Sequence, residues 1–167
     1  MDHRNTALLI APSGHQRIRL RAIEVVDTPI GKGFDHRRVA QRPEVNRVDH
    51  VAIIEVGRIE QSIAQYGERF TRRVFTDGEI AYCAGRSTSL AARFAAKEAV
   101  SKLLGVGIQH RDGVDWREIE VVSAENGDPS VVLFGKAKKR AMELGLSEIA
   151  LSFSHTHEHA IAFAVGQ

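Results

Sequence analysis

The segment Leu90 to Leu104, LAARFAAKEAVSKLL, constrains this chain more than any other part of it. Its apolar residues Leu90, Phe94, Ala95, Val100, Leu103 and Leu104 recur at steps of three and four. That period marks a helix with one buried face. Ser87 or Thr88 is a candidate N-cap, and Gly105 and Gly107 end the helix.

The segments around it divide between helix and strand. Val45 to Ile54 is strand-like, and a helix is expected from about Gly57 to Tyr66, stopped by Gly67. Thr76-Asp77-Gly78-Glu79 has the form of a capping box ahead of Ile80-Ala81-Tyr82. Trp116 to Ser123 and Ser130 to Phe134 read as strands joined by the hairpin signal Asn126-Gly127. Lys136 to Leu144 is a short basic helix ended by Gly145. IALSFSHTHEHAIAFAV at the end is two strands joined near Thr156 to His159. Helices combined with mainly hairpin-linked strands predict an α+β fold.

Length and composition narrow the class. The 167 residues suit one main domain with a real core. Residues 1–45 carry eight Lys/Arg and five acids, an excess of +3, whereas the rest sums to −1. Arg17 to Val26 begins with basic–apolar alternation, and Thr28 to Gly33 has loop chemistry. We therefore expect an N-terminal extension over 1–45 with one added strand, and a domain over 46–167. A net charge of +2 names no nucleic-acid partner. No apolar run approaches membrane-helix length. The single cysteine, Cys83, forms no internal disulfide, sits in an apolar context and suits a reducing, cytoplasmic setting.

Glu98 and Lys102 lie one turn apart on the long helix, in line with Phe94, so a charged face borders the apolar one. On an arbitrary helix this is a surface pair worth a few tenths of a kcal/mol. Here a carboxylate and an ammonium also suit a magnesium-bound diphosphate, one as metal ligand and the other as a point charge.

RFAAKEAVSKLLGVGI resembles the central signature of the holo-acyl-carrier-protein synthases, the small 4′-phosphopantetheinyl transferases. RIEQSIAQYGERFTRRVFTDGEIAYC resembles the first helix of that family and its "FTxxE" segment. WREIEVV with NGDPSVVLFG resembles its strand and "GKP" turn, with Asp128 in place of lysine. SFSHTHEHAIAFAV resembles its final hairpin. These blocks run in order from about Val48 to Val165. The resemblance implies a 4′-phosphopantetheinyl transferase-like fold, a mainly antiparallel sheet packed on a long helix.

It also implies transfer of 4′-phosphopantetheine from coenzyme A to a serine of an acyl carrier protein, with Mg2+ as cofactor. By position, Glu98 matches the metal-binding glutamate, also placed to activate the nucleophile directly or through water. Lys102 matches the lysine on the diphosphate. Arg93 and Lys97 would be supporting charges for coenzyme A, and His155 would sit near its 3′-phosphoadenosine end. Arg58 matches a first-helix arginine that meets the carrier protein. A cytoplasmic homotrimer with sites between subunits is implied as well. Read from the residues alone, Arg58 is equally a solvated helix residue, and His155, His157 and His159 are ordinary hairpin residues before they are a metal triplet.

The family pattern G-x-D-[IL]-V-E-[IV]-x-R-[IF] meets VDHVAIIEVGRIE with two departures at its chemical centre. Anchored on Arg58, the pattern's Glu falls on Glu55, its metal-binding Asp on Ala52 and its Gly on His50. At an effective dielectric of about 20, a unit-charge pair 4 Å apart is worth roughly 4 kcal/mol before desolvation. Two further readings follow: a paralogue that binds coenzyme A or carrier without transfer, and a scaffold turned to another reaction on a pantetheine thioester.

Overall fold

A computed structural model describes Ile18–Leu20 and residues 48–109, 111 and 113–167. Among these, the centre is the expected long helix. It runs over Ser87–Leu103 and is the fourth helix of the chain, α4. Its alanines Ala91, Ala92, Ala95, Ala96 and Ala99 are fully buried. Side chains this small let the helix axis approach a sheet closely, so the packing selects them. Arg86 occupies the N-cap position and no side chain caps this end, contrary to the expected Ser87 or Thr88.

The sheet under α4 is antiparallel. Its strands are β2 (Val48–Glu55), β5 (Ile149–His155) and β6 (His159–Gly166), in the order β2-β6-β5. Ala52 pairs with Ala162 and Ile54 with Ala160, and all four are buried on the face toward α4. The opposite face carries Val51 beside Phe163 and Ile53 beside Ile161, each between 44% and 62% exposed.

A second antiparallel sheet has the order β1-β4-β3, from Ile18–Leu20, Pro129–Leu133 and Ile119–Ser123. Thus Ile18–Leu20 adds an edge strand to β4, with Ile18 opposite Leu133 and Leu20 opposite Val131. The remaining residues of the 1–45 extension lie outside the described ones. The turn at Asn126-Gly127 joins β3 to β4, with Gly127 at φ +91°, a conformation that glycine adopts freely.

Helices α1 (Val56–Tyr66), α2 (Glu68–Val74) and α3 (Asp77–Cys83) fill the chain between β2 and α4. Gly67 separates the first two, as expected. The charged segment GERFTRRV has no clear apolar period, yet it forms helix α2. The capping box at Thr76 is present in both halves: its hydroxyl accepts from Glu79 N–H, and Glu79 accepts from Thr76 N–H at 2.8 Å. Trp116–Glu118, read as the start of a strand, is a 3₁₀ turn capped by Asp115. Helix α5 spans Gly135–Glu143.

Candidate active site

The outward ridge of α4 carries Phe94, Glu98 and Lys102, each one turn from the next. Glu98 is half-buried, and among the described residues no donor reaches its carboxylate within hydrogen-bonding distance. Burial pushes its pKa above the usual carboxylate range, while Lys102 and then Arg58 of α1 pull the other way. Lys102 and Arg58 are exposed. The expected helix pair of Glu98 with Lys102 does not close within 4 Å; the two act on each other through space. An acid that is partly desolvated, unpartnered and faced by two cations is poised for a ligand rather than tied into the fold.

Arg93 and Lys97 point elsewhere. Lys97 is fully buried, and its ammonium meets Glu79 Oε2 at 2.8 Å, Ile119 O at 2.6 Å and Trp116 O at 2.9 Å. Three donors meet three acceptors, so nothing remains for coenzyme A. Burial pushes its pKa down, and the charge on Glu79 pulls it back up. The expectation that Lys97 supports a ligand therefore gives way to a core role, in which it ties α4 to α3 and β3. Arg93 is 2% exposed and stacks on Tyr82 at 4.2 Å. Its Nη2 donates to Ser123 Oγ at 3.0 Å, while its Nε is buried with no partner among the described residues. It also faces the Phe153 ring at 5.9 Å, on the strand that ends at exposed His155.

The expected residues thus fall into two groups, Glu98 with Lys102 and Arg58, and Arg93 with the Phe153–His155 end of β5. Ala52 is buried, and its methyl faces α4. Glu55 is exposed on the opposite side of β2 and does not fill that place. Among the described residues no three His, Cys, Asp or Glu side chains converge as a metal cage. A single free carboxylate still suits magnesium, which binds through one or two carboxylates, substrate phosphates and retained waters.

Beyond Phe94 the ridge borders a cleft of about 430 Å³. Tyr66, Arg69, Phe70, Arg73 and Trp116 line it, and Phe94 stacks on Trp116 with ring centroids 4.4 Å apart. Nothing in the local sequence marks Arg69 and Arg73 as site residues. Their one-turn spacing becomes a usable signal only once Glu68–Val74 is known to be a helix.

A family model described as the 4′-phosphopantetheinyl transferase superfamily matches residues 51–164. The chain belongs to this superfamily. Curated relatives include a holo-[acyl-carrier-protein] synthase of Herpetosiphon aurantiacus, 46% identical over 123 residues that cover 71% of this chain and 97% of that one. The corresponding synthase of Moorella thermoacetica is 46% identical over 118 residues, 69% of this chain and 89% of the relative. Among solved structures, the Helicobacter pylori holo-[acyl-carrier-protein] synthase in complex with coenzyme A is similar, with a TM-score of 0.65 and 28% identity. That match covers 72% of this chain and all of the other. The Neisseria meningitidis synthase aligns with a TM-score of 0.64 at 30% identity, over 71% and 96% of the two chains. The superfamily match begins at Val51, so the edge strand Ile18–Leu20 lies outside the matched residues.

Proposed function

We propose that this chain moves 4′-phosphopantetheine from coenzyme A onto a serine of an apo acyl carrier protein and releases 3′,5′-ADP. The observation that carries the reading is Glu98, a half-buried carboxylate without a partner among the described residues, set between Lys102 and Arg58 in a chain of this superfamily. In the reaction the serine oxygen forms a bond to the phosphorus nearer the pantetheine. The bond from that phosphorus to the bridging oxygen of the diphosphate breaks, and 3′,5′-ADP leaves with the electron pair. The serine proton passes to Glu98, directly or through a water. Lys102 holds the diphosphate with its ammonium as negative charge gathers on the leaving group. Glu98 would also hold Mg2+, which, when bound, neutralises charge on the diphosphate.

The acceptor surface follows from charge. Arg58 borders Glu98 on one side, and Arg69 and Arg73 line the cleft beyond Phe94. Cations around a partly aromatic cleft suit an acidic partner segment, as expected of the carrier protein. The orphaned Nε of buried Arg93 is a donor in need of an acceptor, and a phosphate of coenzyme A would supply one.

The chain is proposed to work as a homotrimer. Val51, Ile53, Ile161 and Phe163 form a contiguous exposed apolar face on the sheet, and a second copy of the chain is the occupant that buries it. Association would then let the Glu98 group of one copy meet the Arg93–His155 end of another. A paralogue that binds without transfer finds no support in the relatives above, which bear the synthase name. Incubation with coenzyme A, magnesium and an apo carrier protein tests the reading. A carrier heavier by one phosphopantetheine supports it, and unchanged mass with every candidate carrier overturns it.

A further inference from the structure

Two residues with a Cβ have a left-handed backbone among the described residues, Ala84 and Gln109. Ala84 ends α3, where such a conformation is common. Gln109 ends no helix, yet its φ is +62°. Glycine would adopt that backbone without strain, so the glutamine side chain is held there against a conformational preference.

Backbone hydrogen bonds tie Gln109 and Gly107 to Val114. Gln109 N–H donates to Val114 O at 3.0 Å, and Val114 N–H donates to Gly107 O at 3.1 Å. This backbone sends the side chain toward two donors of the arginine-lined cleft. With its amide oriented to suit them, Gln109 Oε1 accepts from Arg73 Nε at 3.0 Å and from Trp116 Nε1 at 2.9 Å. Trp116 is the ring that stacks on Phe94, one turn from Glu98. The bond uses Arg73 Nε and leaves both Nη groups without an acceptor among the described residues. Arg69, one turn earlier, lines the same cleft.

We propose that Gln109 is a positioning residue for the acceptor. Its single amide oxygen fixes the Arg73 guanidinium and the Trp116 ring together, so that the Arg73 Nη groups and Arg69 meet carboxylates of an acidic carrier segment at a set distance from Glu98. This deepens the transferase reading and rests on it. A bidentate guanidinium is selective only when its plane is fixed, and a mobile Arg73 would lose that fixed plane. The strained backbone is the conformational counterpart of that fixed geometry.

The test compares Gln109→Gly, Arg73→Gln and the double variant, all in the full chain. Transfer kinetics are measured along with calorimetric binding of an apo carrier whose acceptor serine is replaced by alanine. Gln109→Gly should raise KM and Kd for the carrier about tenfold, the loss expected for one charge-assisted contact. It should leave KM for coenzyme A and kcat at saturating carrier within about twofold, with Tm unchanged or higher because strain is relieved. In the Arg73→Gln background the same change should have no further effect on carrier binding. A lower Tm with kcat and both KM values altered would mean a structural role and overturn the proposal. Equal carrier affinity in wild type and Gln109→Gly overturns it alone, whereas no binding by the wild type overturns it together with the transferase reading.

Discussion

Replacing Ala52 with aspartate returns the carboxylate that the family pattern carries at this position. Ala52 is 3% exposed, lies beneath α4 and has the Ala162 methyl as its cross-strand neighbour. Without metal, burying the new charge there should destabilise the fold by about 3 kcal/mol. For a chain of this size that lowers Tm by roughly 6–12 °C. With magnesium and coenzyme A present the sign reverses. A unit-charge pair at 4 Å is worth roughly 4 kcal/mol at an effective dielectric of about 20, and a divalent ion doubles it. If only about 1.4 kcal/mol survives desolvation, half-maximal transfer is reached at about tenfold lower magnesium. Thermal unfolding with chelator and with magnesium plus coenzyme A reads the first effect, and a magnesium titration of carrier transfer reads the second. A variant that unfolds at the same low temperature in both conditions, with an unchanged magnesium midpoint, would refute the placement of position 52 at the metal.

Three further outcomes follow from the same geometry. Burial raises the Glu98 pKa, so the folded chain holds that proton more tightly than the unfolded chain, and ionisation withdraws stability as pH rises above the unfolded value of about 4.3. Glu98→Gln should therefore match wild type below that pH and exceed it in urea unfolding at neutral pH, while transfer is lost. Glu79→Gln leaves the Lys97 ammonium unpaired in the core and should cost about 3–5 kcal/mol in the same assay, with Lys97→Met as second change restoring part of it. Ile53→Asp alters a residue 62% exposed in the single chain, so the fold should persist, while light scattering shows a trimer in wild type and a monomer in the variant.

Periodicity and turn chemistry made much of this fold legible. The buried alanines of α4 repeat at helical steps, Thr76 and Glu79 form a local capping box, and Asn126-Gly127 marks a hairpin, so each is visible within a few neighbouring residues. Glu98 and Lys102 were legible for the same reason, one turn apart on a helix already recognised. Lys97 was not. Its partners Glu79, Trp116 and Ile119 are distant in sequence, and only packing reveals that they surround its ammonium. Arg69 and Arg73 stayed hidden because α2 has no apolar period, which charged side chains around most of its surface obscure. Gln109 gave no signal, since neither its left-handed backbone nor its contacts with Arg73 and Trp116 can be read from its neighbours.

Glu98 is proposed to serve chemistry rather than structure. Following 3′,5′-ADP release and carrier mass together, with coenzyme A, magnesium and either wild type or Glu98→Gln, separates the two roles. Wild type should release one ADP for each phosphopantetheine its carrier gains, and a folded Glu98→Gln variant should give neither product. Equal transfer by the two proteins would contradict the chemical role.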